Sequence, residues 1–211
     1  SVNQLAKKRD LSELEICDPA IEPSPTKLQE QAEIAESSAM EVVGVSQVSG
    51  ASASYGKYSV FVAASNGFTA NYDRSSNSVS CVAIAGEGLN MERDYDADTR
   101  VYQSDLRPSD EIGRTAGLRA VERLNPRRPA TGSYPVIYDE RISSGLVGHF
   151  LSAINGAAIT RGSSWLKDSL GKQVLPSTCK LVENPHRLRA GASRLFDSEG
   201  LATKKREILS K

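Results

Sequence analysis

The stretch Tyr58-Ser59-Val60-Phe61-Val62-Ala63-Ala64-Ser65-Asn66-Gly67-Phe68-Thr69-Ala70-Asn71-Tyr72 carries the reading that decides the fold. Apolar and β-branched residues alternate with small or polar ones on both sides of Asn66-Gly67. That dipeptide is favoured where two strands turn back on each other, because both central residues of the tight turn need positive φ. Upstream, Val43-Gly44-Val45-Ser46-Gln47-Val48-Ser49 alternates in the same way. Downstream, Ser78-Val79-Ser80-Cys81-Val82-Ala83-Ile84 reads as another strand, Gly86-Glu87-Gly88 turns it, and residues 91–102 return. The expectation is an antiparallel meander of four or five strands, uninterrupted by helix, with Ser and Thr on its open face.

Helical periods flank the meander. After the breakers Glu22-Pro23-Ser24-Pro25, residues 26–40 place Leu28, Ala32, Ala35 and Ala39 on one side, with Ser24 as N-cap and Pro25 at the first helical position. Pro108, Ser109, Asp110 and Glu111 open a second helix running to about Leu124, with Ile112, Ala116, Ala120, Val121 and Leu124 inward. Gly113 and Gly117, one turn apart, weaken that helix by roughly 1 kcal/mol each, so a close backbone approach is expected to offset them. Tyr134-Pro135-Val136-Ile137-Tyr138 reads as a short strand and Asp139 as the cap of the next helix. Residues 142–160 carry no Asp, Glu, Lys or Arg and are apolar or small on nearly every side. They read as a helix buried all round, within the protein or at an interface. The fold class is therefore α+β, an antiparallel meander followed by packed helices. The expected division is a connecting segment and helix over 1–41, a sheet with its helix over 42–130, and a buried-helix region over 131–211. Residues 5–9 resemble the tail of a helix already under way, and 204–211 stop within an element, so a piece of a longer protein is expected.

Charge narrows the function. The 211 residues carry 26 Lys+Arg against 26 Asp+Glu, which leaves no basic excess for nucleic-acid phosphates and no cationic face for a membrane surface. Cys17, Cys81 and Cys179 are too few and too scattered for a disulfide framework or a structural zinc site, which suits a reducing cytoplasm. No run of about eighteen strongly apolar residues occurs. The catalytic inventory is thin. His149 sits on the apolar helix and reads as a satisfied core or interface histidine; a metal or base role needs partners its neighbours Phe150, Ala153 and Ile154 do not supply. His186 reads as a surface turn residue, Cys179 as a buried, inert thiol, and Arg127-Arg128-Pro129 as a solvated connection. The run Glu92-Arg93-Asp94-Tyr95-Asp96-Ala97-Asp98 could take a divalent cation, but a charged strand face with an internal Arg counter-ion is the plainer reading. Gly86-Glu87-Gly88 lacks the strand-to-helix context of a phosphate loop. No catalytic, cofactor-binding or metal-ligating residue is assigned to this chain.

Several motifs occur in a fixed order: Gly86-Glu87-Gly88 with Met91-Glu92-Arg93-Asp94-Tyr95-Asp96, Glu111-Ile112-Gly113-Arg114, Leu124-Asn125-Pro126-Arg127, Pro135-Val136-Ile137-Tyr138-Asp139, Gly145-Leu146-Val147-Gly148-His149, Ala153-Ile154-Asn155-Gly156-Ala157-Ala158, Ser163-Ser164-Trp165-Leu166-Lys167-Asp168 and Phe196-Asp197-Ser198-Glu199-Gly200. This set resembles the TldD/PmbA family, and within it the PmbA (TldE) branch long labelled a modulator of DNA gyrase. The resemblance implies a fragment of a larger two-domain protein. It further implies a cytosolic metalloprotease complex acting on unfolded or extended peptides, in which a TldD-like sister subunit carries zinc on an HExxxH helix. The matching helix here has His149, but Phe150 replaces the Glu and Ile154 the second His, so the chain itself is expected to be non-catalytic and zinc-free. The chain alone could form a homodimer. The alternative, a regulator touching gyrase or DNA directly, finds no support in the neutral charge.

Overall fold

A computed structural model describes residue 6 and residues 11–209; the proposed helix tail at 5–9 and the last two positions of 204–211 fall largely outside these. The described chain divides into two compact units, residues 1–127 with 183–206, and 128–182 with 207–211.

In the first unit, α1 (Pro25–Met40) begins as its sequence dictates: Ser24 accepts a hydrogen bond from the Lys27 amide and Pro25 fills the first turn, where no N–H is needed. Three antiparallel strands follow in the order β1-β2-β3: β1 (Val45–Ala63), β2 (Thr69–Ala85) and β3 (Glu92–Arg100). The expected four or five strands are thus three long ones. Residues 45–49 of the first segment and 58–62 belong to one 19-residue strand, continuous through residues 50–57, with two register irregularities at its start, between Val45 and Gly50. The polar residues between them do not end the strand, because β2 supplies a partner along its whole length.

The Asn66-Gly67 turn also differs in type. Gly67 alone takes positive φ, at 86°. The Ala64 amide donates to the Phe68 carbonyl at 2.9 Å and the Gly67 amide to the Ala64 carbonyl at 3.0 Å, while the Asn66 side chain accepts from the Phe68 amide. This is a three-residue loop whose glycine forms the bulge, the next most favoured hairpin closure.

The core of this unit is built from small side chains. Alternate β2 residues Val79, Cys81, Ala83 and Ala85 are buried beneath Ala35 and Ala39 of α1 and Ile112, Ala116 and Ala120 of α2 (Ser109–Glu122). The opposite face carries the expected hydroxyls, with Ser52 and Ser80 paired at 2.9 Å and Thr99 donating to Ser78 at 3.2 Å. Gly113 and Gly117 lie where α2 crosses α1. A Cβ on Gly113 would fall on the Ala35 carbonyl, and one on Gly117 would stand 3.0 Å from the Ala39 oxygen and 2.9 Å from Val42. The close approach expected from the sequence is the packing of these two helices.

Two further segments complete the first unit. Residues 14–18 run alongside β2 beyond the end of β3, with the Ser75 amide donating to the Ile16 carbonyl. Asp18 accepts from the Ala20 and Gln103 amides, and Ser75 and Asn77 both donate to the Val101 carbonyl. Residues 183–206 return to this unit. Arg74 donates to the Gly191 and Ser193 carbonyls, Leu195 packs with Leu14 and Ile16, and Phe196 meets Phe68 edge-on at 4.9 Å.

The second unit contains α3 (Glu140–Ala153) and the short α4 (Gly156–Thr160), together with most of the two-stranded sheet of β4 (Leu181–Glu183) and β5 (Arg206–Leu209). Asp139 caps α3 as expected, accepting from the Arg141 amide at 2.9 Å. Its core is Phe150, Ala153 and Leu166, with Ile154, Val174, Leu181 and Leu209 against it. Two expectations fail here. Residues 134–138 form no strand, since no described segment pairs with them, and Val136 and Ile137 stand 68% and 97% exposed. α3 is not buried all round: only Phe150 and Ala153 are, while Ile142, Leu146, Val147 and Leu151 face outward.

Gly113→Ala should destabilise the protein by at least about 1–3 kcal/mol, the usual penalty for overpacking, although alanine is the better helix former. Urea denaturation of parent and variant checks this, and an unchanged midpoint would show that the helix crossing is not tight.

Candidate functional site

The segment that the family resemblance singles out, His149 to Ile154 on α3, can be assessed donor by donor. A zinc site needs three protein donors converging on one point, and a hydrolytic one also needs a base held close by. His149 is exposed on this chain, so of the expected core or interface histidine the core alternative fails. The reason is helical phase. Phe150 and Ala153 take the inward positions, and His149, one residue earlier, is carried round to the open side. Phe150, where a catalytic glutamate would stand, is 7% exposed within the apolar cluster, and Ile154 packs against the same cluster. Around them Ser164 donates to the Ala153 carbonyl at 2.6 Å and accepts from the Leu166 amide at 2.9 Å, closing the end of α3. A carboxylate at position 150 would be a buried charge without a partner. The donor set on α3 therefore does not fit zinc. Among the described residues no group of three or more His, Cys, Asp or Glu side chains converges to hold a metal ion.

The other candidates disperse. Cys179 is exposed, not buried; the buried thiol is Cys81, which burial and then the charge of Glu36 push up to about 11. His186 is half-buried in the first unit, its Nε2 lying 3.0 Å from the Thr203 hydroxyl. Residues 127–129 are exposed, and Gly86-Glu87-Gly88 is a turn between β2 and β3.

The acidic run is where the sequence reading needed most correction. Asp94 and Asp96 are buried and Asp98 half-buried, all on the face of β3 turned toward α2. The counter-ions of Asp94 and Asp96 come from outside the strand. Asp96 meets Arg107 and Arg119, each at 2.6 Å, and Asp94 meets Arg123 at 3.4 Å. Asp98 accepts from the Arg107 amide at 3.0 Å and pairs with Arg100. The period-two spacing of the three aspartates and the four-residue spacing of Arg119 and Arg123 were the available signal for a strand face meeting a helix face. This row is a structural seam, saturated by guanidinium groups and offering nothing to a cation. Burial alone would raise the Asp98 pKa, but the Arg107 amide and the nearby Arg100 and Arg107 guanidiniums outweigh it, and the carboxyl lies below its ordinary value.

Comparison with known proteins places these features. The PmbA/TldA metallopeptidase central domain matches residues 18–124, and the PmbA/TldA metallopeptidase C-terminal domain matches 131–211. Metalloprotease PmbA of Escherichia coli O157:H7 is 37% identical over 202 residues, 95% of this chain and 44% of the relative. The Metalloprotease PmbA homolog of Haemophilus influenzae is 39% identical over 145 residues, 69% of this chain and 32% of the relative. The chain thus spans less than half the length of these curated relatives. Among solved structures, a proposed modulator of DNA gyrase from Bacteroides thetaiotaomicron superposes with a TM-score of 0.88 at 27% identity, covering 98% of this chain and 47% of the other. TldE from Thermococcus kodakarensis shares the fold at a TM-score of 0.68 and 17% identity, covering 97% and 45%.

The lowered pKa of Asp98 fixes a sign for acid stability. The group contributes stability above its unfolded pKa of about 4, and the contribution is lost as pH falls through the lower folded value. Asp98→Asn should lower stability at neutral pH and flatten the decline below about pH 4. Thermal melts across that range check it; a variant whose acid limb parallels the parent's would contradict the assignment.

Proposed function

Because this chain belongs to the PmbA/TldD metallopeptidase family, we propose that it is part of a TldE-type subunit that supports peptide cleavage by a zinc-bearing, TldD-like sister without holding zinc itself. One observation carries the reading. The positions that would supply the base and the second zinc ligand are Phe150 on α3 and Ile154 just after it, both packed into the apolar core of their unit. Filling them with a carboxylate and an imidazole would remove two of that core's contributors, so the packing and the missing chemistry are one fact.

The chain's role is then to bind and to shape. The second unit exposes Ile142, Leu146, Val147 and Leu151 along α3 and Trp165 beyond it, apolar side chains suited to packing against the sister subunit. In the first unit β1 is an edge strand of 19 residues with Lys57 its only charge. Natural edge strands usually carry charges or prolines against unwanted pairing. A long edge without them suits extended peptides, which add to a sheet through main-chain hydrogen bonds that do not depend on sequence. The cytoplasm is the compartment that suits the complex, in keeping with three free thiols and no cysteine pairing; no described helix is long and apolar enough to cross a membrane. The equal count of acidic and basic residues gives no support to direct contact with gyrase-bound DNA.

Two experiments on the full-length protein test the proposal. Alone, it should bind no stoichiometric zinc and cleave no unfolded peptide; co-expressed with its sister, it should co-purify with it in a cleaving complex holding about one zinc per pair. One zinc in the isolated protein, or cleavage by it, would overturn the reading. His149→Gln should change stability by no more than about 0.5 kcal/mol, as for an exposed position, and leave cleavage by the complex intact. Normal assembly with turnover down about a hundredfold or more would instead make His149 part of a composite site.

A further inference from the structure

A second feature lies in the first unit, away from α3, and does not depend on the functional reading. The turn that joins β1 to β2 contains the step Asn66-Gly67. Docked on it is the hairpin 195–203, which the Phe196–Ala202 bridge and the hydrogen bond from the Thr203 amide to the Leu195 carbonyl hold together. Three contacts make the docking. Asn66 Nδ2 donates to the Glu199 carbonyl at 3.2 Å. The Phe68 ring meets Phe196 edge-on at 4.9 Å. Gly200, at a φ of 81°, lies so near that a Cβ on it would stand 2.4 Å from a carbon of the Phe68 ring.

Asparagine is a thermolabile residue, and most so before glycine, where no side chain obstructs attack of the following amide nitrogen on the asparagine Cγ. In that attack the amide proton passes to solvent, the N–Cγ bond closes a five-membered succinimide, and the Cγ–Nδ2 bond breaks to release ammonia. Water then opens the ring at either carbonyl and leaves an aspartate or an isoaspartate. Asn66 and Gly67 are both exposed, so water reaches them. The docked turn nevertheless holds both reacting groups. The Gly67 amide donates to the Ala64 carbonyl at 3.0 Å, and Asn66 Oδ1 accepts from the Phe68 amide at 3.0 Å while Nδ2 is bound to Glu199. The other Asn-Gly step of the chain, Asn155-Gly156, lies in the second unit, with Asn155 Oδ1 accepting from the Ala157 and Ala158 amides.

We propose that Asn66 is a deamidation site controlled by the hairpin 195–203: the docked hairpin keeps the amide unreactive, and loss of the amide releases the hairpin irreversibly. A carboxylate only accepts hydrogen bonds. After conversion the atom that faces the Glu199 carbonyl is a second acceptor, so an anchor becomes a repulsive contact. An isoaspartate also adds a methylene to the backbone of a turn whose length sets the register of β1 against β2.

The test follows both Asn-Gly steps by peptide mass mapping in full-length protein kept warm at mildly alkaline pH. Asn66 should convert readily in urea and at least about tenfold more slowly in the native parent, where reaction waits on local opening. Gly200→Ala and Phe196→Ala, which loosen the hairpin from Phe68, should each bring Asn66 conversion toward the urea rate and leave Asn155 at the parent's rate. If Asn155 also accelerates in Gly200→Ala, that variant has unfolded and Phe196→Ala decides. Asn66→Asp, which supplies the product without the reaction, should raise limited tryptic cleavage after Arg194 and Lys204 by about tenfold, since cleavage tracks the population of the opened hairpin. Native conversion as fast as in urea, a folded loosened variant that converts no faster than the parent, or an Asn66→Asp protein cut no faster than the parent would overturn the proposal.

Discussion

The first unit depends on how closely α2 can approach α1. At Gly113 and Gly117 the α2 backbone meets the Ala35 and Ala39 carbonyls with no room for a side chain between them. Two helices so close occupy little width, and both reach the same strip of sheet. That strip is narrow because β2 presents Cys81, Ala83 and Ala85 beneath them. Small residues on all three elements are therefore one solution: each shortens a distance that the others would otherwise have to span. The low aromatic content agrees with this, since such a core has no space for rings, and stability must come from many close contacts rather than a few large side chains.

The tight crossing also decides where charge can go. With α2 drawn over the sheet, its C-terminal half overlies β3, and Arg119 and Arg123 project onto the aspartates of that strand. Burying carboxylates is costly unless each is paired and hydrogen-bonded. Here every aspartate of the row meets at least one guanidinium, and Arg107 serves two of them, through its side chain to Asp96 and its amide to Asp98. The seam fixes the angle between helix and strand more sharply than alanine contacts could, because ion pairs and hydrogen bonds are directional where apolar packing is not. A comparable fastening holds the returning segment 183–206, where Arg189 pairs with Glu15 at 2.5 Å and lies over the Tyr102 ring at 3.9 Å.

The second unit has a different character. Its own core is three buried residues with four partly buried ones against it, while much of its apolar surface is open. α3 is apolar on more sides than this unit can cover. Such a helix makes sense when a further surface meets it, and that agrees with a protein whose curated relatives are more than twice as long as this chain. Along the same stretch Phe150 and Ile154 pack into the core of the unit, while His149 is exposed.

What the sequence determined by itself was local. The Ser24 and Asp139 caps, the bounds of α1 and α2, the turn at Gly67 and the demand for a close contact at Gly113 and Gly117 were all legible, because each depends on residues within one or two turns of each other. The ordered motifs likewise placed the chain in its family. What only the tertiary structure decided was non-local. Residues 45–49 and 58–62 became one strand because β2 continued beside both. Residues 134–138, as strand-like in pattern, formed none because no described strand lay alongside. The acidic run of β3 became a buried seam because arginines up to 29 residues away came to face it. α3 was left half-open because burial depends on what lies opposite a helix, and no periodicity within the helix records that.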